Sequence, residues 1–315
     1  MVVDILKIDT IGNLNKFYGK KISSVLIIGL VLGICLFGVG CAEKTENEAK
    51  GEVSEFEEEI TIGYVLWETE IASTNVIQQV LQQAGYENVE IMHVDAGPLY
   101  QGLASSNFDF TVSAWLPKTQ VHYWNLYEDK VDSVGTNLEN CPIGFVVPAQ
   151  MEEINSIGDL NANKDKFDGK IIGIDPGSGT MDMAETAVEE YGLDMELIAS
   201  SNAAMIASLK KAMDAGEPIV VTLWHPHWAF NRWELKLLKD PKGVFCEADH
   251  VETLARKGLQ ADMPNLYGIL ERFHWTHEDI QSVMVDIENG MEPEEAAAKW
   301  IENNPEKVRE WIGEE

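Results

Sequence analysis

From residue 60 onward the chain alternates short β-prone runs with segments whose apolar residues recur at helical spacing. No other feature restricts the fold as much. Ile60–Leu66, Val89–Val94, Phe108–Leu116, Ile143–Val147, Lys170–Ile174 and Pro218–Leu223 read as strands. Between the first two, Val76, Ile77, Val80, Leu81 and Ala84 mark a helix. Ser73-Thr74-Asn75 offers its N-cap and Gly85 its C-terminal stop. Met183–Tyr191 and Ala203–Ala215 repeat the helical pattern between later strands. The tail from Pro264 is helical, with Thr276 and Asp279 as a cap, Gly290 as a stop and Pro293 as a restart. This order is α/β, and 315 residues suffice for two domains.

The first forty residues follow another logic. Lys16, Lys20 and Lys21 precede an apolar run from Val25 to Gly40, short for a membrane span but long enough for the apolar region of a signal peptide. The run ends in Gly38-Val39-Gly40 directly before Cys41, which resembles the lipobox of exported lipoproteins. Gly38 stands where that pattern prefers Leu. The expected division is a signal peptide over 1–40, then a lipidated Cys41 opening an acidic tether over 41–59. An uncleaved anchor helix is the alternative, and either arrangement puts the remainder outside the cytoplasmic membrane. There Cys141 and Cys246 could pair or remain buried thiols.

Acidic residues outnumber basic ones 53 to 23, a net charge of −30. Such a surface repels nucleic acid, which is bound by neutralising phosphates, and it disfavours adhesion to anionic lipid through basic patches. Enzyme signatures are sparse: no phosphate loop, no nucleophile elbow, no paired-histidine zinc helix. His225-Pro226-His227 invites a metal reading, with a metal-dependent hydrolase as the enzyme alternative, but spacing supplies no further ligands. Neither a metal nor a cofactor is expected. Gly177-Ser178-Gly179 follows a strand and precedes a helix; it reads as a plain turn or as backbone amides converging on an anion.

Nine tryptophans are the unusual feature. Trp275, Trp300 and Trp311 lie in the helical tail, where core packing is the default. Trp67, Trp115 and Trp224 each fall at the C-terminal end of a strand candidate, where open α/β sheets bind ligands. They read either as core or as an aromatic cage. A cage suits a quaternary ammonium, whose diffuse charge offers no directed hydrogen bond but is attracted to π faces.

Five segments together carry a resemblance. Tyr64-Val65-Leu66-Trp67-Glu68-Thr69-Glu70, Val94-Asp95-Ala96-Gly97, Ala114-Trp115-Leu116-Pro117, Gly173-Ile174-Asp175-Pro176-Gly177-Ser178-Gly179 and Trp224-His225-Pro226-His227-Trp228 are similar, in this order, to the glycine betaine-binding proteins of osmoprotectant ABC importers. The likeness runs from about residue 60 to the C-terminus.

The resemblance implies a two-lobed periplasmic-binding-protein fold of type II character with the ligand cleft between lobes. Lobe 1 would comprise 60–147 and 249–315, and lobe 2 would comprise 148–248. It implies a non-enzymatic receptor for glycine betaine or a relative such as proline betaine, delivering to permease and ATPase subunits. The alternatives are a choline or carnitine receptor, or a sensing domain for a signalling partner. Trp67, Trp115 and Trp224 match the tryptophans around the trimethylammonium, with Trp228 as the substitute for the third. Backbone amides of Gly179 and Thr180 would hold the ligand carboxylate. Where the family usually adds a histidine, this chain has Gln120, an amide donor without charge at any pH, so binding should vary little between about pH 5 and 8 at that end. His122 is the substitute donor. The acidity is then no ligand signal, and points instead to a high-salt habitat.

Overall fold

The computed structural model describes residues 54–245 and 248–314. The expected signal peptide, Cys41, most of the tether and Cys246 lie outside the described residues. Strands β1 (Glu59–Tyr64), β2 (Asn88–His93), β3 (Phe110–Leu116), β4 (Val131–Cys141) and β5 (Ile143–Pro148) come first along the chain. Then follow β6 (Lys170–Ile172), β7 (Glu196–Ile198), β8 (Val221–Trp224), β9 (Leu235–Leu237) and β10 (Asp249–Arg256). They build two five-stranded sheets, ordered β2-β1-β3-β10-β4 and β7-β6-β8-β5-β9.

Both sheets share one plan. In the first, β1 runs parallel to β2 and β3, and β10 is antiparallel to β3 and β4. In the second, β6 runs parallel to β7 and β8, and β5 is antiparallel to β8 and β9. The chain leaves the first sheet across Pro142, between β4 and β5, and returns between β9 and β10. The alternation of strand and helix in the sequence thus yields mixed sheets in which parallel strands lie beside two antiparallel ones.

The expected N-cap at Ser73-Thr74-Asn75 is overturned: the first long helix spans Glu68–Gln83, with Trp67 at its N-cap. All three polar residues are buried in its interior. Ser73 Oγ donates to the Glu70 carbonyl at 3.4 Å and Asn75 Nδ2 to the Ile71 carbonyl at 2.8 Å, so their side chains bond back along the helix. Gly85, at φ +102°, closes the helix as expected. The Gly179–Glu190 helix likewise begins before Met183, because the Ser178 hydroxyl accepts the Met181 N–H and caps it. Thr276 and Asp279 form a reciprocal capping box.

Every residue of β3 is buried. Glu68–Gln83 packs on this sheet and against the C-terminal helices His277–Glu288 and Pro293–Asn303. Trp275, Trp300 and Trp311 form an aromatic cluster there, with Trp300 and Trp311 stacked at 5.4 Å. Among the described residues, no helix is long and apolar enough to cross a membrane.

Candidate functional site

Strand ends and turns bring Trp67, Trp115 and Trp224 together. Trp67 follows β1, Trp115 is the penultimate residue of β3, and Trp224 ends β8, so two indoles come from the first sheet and one from the second. The Trp224 ring lies 6.3 Å from that of Trp67, tilted by 54°, and 6.3 Å from that of Trp115, near perpendicular at 74°. The indole N–H of Trp67 donates to Asp175 Oδ2 at 3.3 Å and that of Trp115 to Glu70 Oε1 at 2.6 Å. These bonds occupy the N–H groups of two of the three indoles, while the Trp224 indole N–H is buried without a partner. The π faces are left as the chemistry the cluster offers.

A polar end lies beside it. Thr119 N–H donates to Asp249 Oδ2 at 2.9 Å and Lys118 N–H to Oδ1 at 3.1 Å, holding the turn before Gln120. Gln120 is fully buried. Its Oε1 accepts the Trp115 backbone N–H and the Tyr100 hydroxyl, both at 3.0 Å, and the backbone donor fixes which amide atom is oxygen. Its Nε2 is buried without a partner. Burial raises Tyr100 far above its ordinary range, aided by the charges of Glu252, Tyr123 and Asp249, so its hydroxyl remains a donor. A Cβ on Gly179 would meet the Thr119 carbonyl, so the start of the Gly179–Glu190 helix abuts this turn. The first N–H groups of a helix have no intrahelical acceptor and favour an anion. One end of the site is therefore aromatic, and the other is rich in donors.

Other contacts join elements of the two sheets around the cleft. Tyr123 hydroxyl donates to the Gly177 carbonyl at 2.8 Å, and Asn202 Nδ2 to Glu68 Oε2 at 2.8 Å. Asn202 N–H donates to Asp175 Oδ2 at 3.1 Å, the oxygen that receives the Trp67 indole. His227 Nδ1 accepts the Ala229 N–H, which leaves the proton on Nε2, 3.3 Å from Glu68 Oε2. Burial pushes the Glu68 carboxyl up, but the His227 imidazole and the Asn202 amide hold it below its ordinary value. His225 packs between Phe230 and His277. Its pKa is lowered, first by burial and then by the neighbouring histidines.

The two substitutes are placed elsewhere. His122 is half-exposed, with Nδ1 3.6 Å from Asp182 Oδ2 and its ring against Tyr123. Trp228 packs on Trp233 and His227 and lines grooves with Glu288 and Arg232. Glu68, Glu70, Asp175 and Asp249 were missed as site residues. The first three lie inside the segments that carry the resemblance, so position alone could have raised them. Asp249 has no such local signal.

A profile described as the substrate binding domain of ABC-type glycine betaine transport system matches residues 58–303. Over 144 residues the chain is 49% identical to a glycine betaine/carnitine transport binding protein of Listeria monocytogenes, a match covering 45% of this chain and 48% of that protein. The matched part thus spans about half the length of that curated relative. Among solved structures, lactococcal OpuAC, closed on glycine betaine, is 38% identical with a TM-score of 0.76, covering 81% of this chain and 100% of that one. The glycine betaine/L-proline-binding protein ProX of Borrelia burgdorferi is 38% identical with a TM-score of 0.77, over 81% and 96%. A choline binding protein in complex with choline is 27% identical with a TM-score of 0.75, over 81% and 91%.

Proposed function

Because the chain belongs to the family of substrate-binding domains of ABC-type glycine betaine transport systems, we propose that it captures glycine betaine or a close relative outside the cytoplasmic membrane and delivers it to an importer. It is a binding protein with a type II periplasmic-binding-protein fold, not an enzyme. Trp67, Trp115 and Trp224 surround the trimethylammonium. The amides of Gly179 and Thr180, with Gln120 Nε2, take the carboxylate. The observation that carries this reading is the presence, together, of three indoles from both sheets and a fully buried Gln120 whose Nε2 has no partner. A buried donor without an acceptor costs about 1–3 kcal/mol, and a ligand carboxylate removes that cost. Choline would leave it in place.

Lobe 1 comprises 60–147 with 249–315, and lobe 2 comprises 148–248. Ligand touching indoles and amides of both lobes binds the closed state better than the open one, and that difference drives closure. Permease subunits then read the closed state. A lipid on Cys41 holds the receptor to the membrane's outer face. The testing experiment is calorimetric titration with glycine betaine, proline betaine, carnitine and choline. Heat with the first two is expected, and no heat with any of the four would end the reading.

A further inference from the structure

Glu70 is the buried carboxyl that the ligand contacts leave unexplained. It sits in the first turn of the Glu68–Gln83 helix and is 1% exposed. Its oxygens accept neutral donors: the Trp115 indole N–H and the Thr69 hydroxyl, each at 2.6 Å, together with its own backbone N–H. A carboxylate buried without a cation is among the costliest arrangements in a protein interior. From β3 the Trp115 indole faces it, and β3 carries no charged residue. From its own helix Glu68 acts on it, as a like charge. Several charges on the other elements against that helix are engaged elsewhere. Lys299 pairs with Asp286, Lys307 with Asp279, Glu288 with Arg232 and Lys210, and His277 with the Glu139 carbonyl. On β2, His93 packs against Tyr64. Among the described residues, no cationic side chain pairs with Glu70.

We infer that Glu70 is the buried counter-charge of the quaternary-ammonium site, a positioning residue acting through the Trp115 indole, and that it makes capture of a trimethylammonium ligand depend on pH. This rests on the betaine reading above. When ionised, the carboxylate draws on the indole N–H, enriches the π face and adds a negative charge one ring behind the cage. The missing cation then arrives with the ligand. Burial pushes the carboxyl up to about 7, against the pull of Thr69 and Trp115, so both protonation states are within reach near neutrality. The non-titrating Gln120 end therefore does not secure a flat profile: affinity rises as pH climbs through 7.

Two measurements on the full chain test this, with Glu70→Gln as the isosteric, uncharged variant. In ligand-free protein carrying 15N-labelled tryptophan, the Trp115 indole resonance, assigned with Trp115→Phe, should titrate with a midpoint near pH 7. It should stand still in Glu70→Gln. By calorimetry, glycine betaine should bind wild type about tenfold more tightly at about pH 8.5 than at about pH 5.5, as expected for one charge in a medium of effective dielectric near 20. Glu70→Gln should bind weakly at both. A static indole in wild type, or a pH slope surviving in Glu70→Gln, overturns the inference. Should Glu70→Gln not fold, the wild-type indole titration decides alone. A wild type that binds no betaine yet shows the indole titration ends the ligand reading and leaves the Glu70–Trp115 link standing.

Discussion

A Cβ on Gly179 would lie 1.5 Å from the carbonyl oxygen of Thr119. Thr119 belongs to the turn after β3 in the first sheet, and Gly179 opens the helix that follows β6 in the second. Glycine is required here by close approach across the cleft, not by a left-handed backbone: Gly179 is not among the glycines of positive φ, whereas Gly177 is.

Gly179→Ala should therefore obstruct closure and spare the fold. Alanine suits a helix better than glycine does, so the ligand-free protein should melt at the same temperature or slightly higher. Overpacking of about 1–3 kcal/mol falls on the closed state and weakens betaine binding by that amount. Calorimetry beside thermal unfolding of the ligand-free protein checks both halves. Unaltered affinity would mean that the receptor closes elsewhere.

Gln120→Glu separates the two ends of the site. The variant keeps an oxygen for the Trp115 N–H and the Tyr100 hydroxyl but replaces the Nε2 donor by an anion. Glycine betaine should lose about 1.5–3 kcal/mol, the worth of a hydrogen bond to a charged group. Choline, without a carboxylate, should bind no worse. Parallel titrations with both ligands read the difference, and equal losses would remove Gln120 from the carboxylate site.

Trp67→Ala, Trp115→Ala and Trp224→Ala should each weaken betaine binding by about 0.5–2 kcal/mol or more, from lost cation–π attraction. Trp228→Phe, on the far side of His227, should leave affinity unchanged. Tryptophan fluorescence titrations follow all four variants. Full affinity in the three alanine variants would exclude the cage.

Stability should run against binding as pH changes. Glu70 has its folded pKa raised from 4.5 to about 7, so between those values the native state binds the extra proton and the unfolded state does not. Stability is then fully present below about pH 4.5 and declines as pH rises to 7, by on the order of 3 kcal/mol in the ligand-free protein. Glu70→Gln should flatten this slope. Urea unfolding at about pH 5 and 8, with and without the substitution, measures it; a wild type gaining stability over this window on account of Glu70 would contradict the sign.

The chain's acidic excess, 53 acids against 23 bases, should make the receptor more stable in molar salt than in dilute buffer, because screening relieves self-repulsion. Thermal unfolding across salt concentrations checks this. Equal stability at both extremes would count against a high-salt habitat.

Local pattern carried much of the fold. The β1, β2, β3, β5, β6 and β8 segments, the Thr276 box and the stops at Gly85 and Gly290 were legible because periodicity and capping are properties of neighbouring residues. β4 and β10 were not, although they complete the first sheet. β10 enters between β3 and β4 from more than a hundred residues downstream, and that pairing leaves no local trace. Ser73-Thr74-Asn75 misled for a related reason. These residues favour caps when exposed, but here burial turned the Ser73 and Asn75 side chains back onto their own helix.

The sequence by itself determined the chemical inventory: indoles at strand ends, a glycine before a helix, and an amide at position 120. Only the tertiary structure decided how that inventory is spent. It brought Trp224 to Trp67 and Trp115 from the other sheet, left Gln120 Nε2 without a partner, and sealed Glu70 behind the Trp115 indole. A residue's type fixes which interactions it can make. The solvation, partners and protonation of a buried group are set by atoms brought from distant parts of the chain.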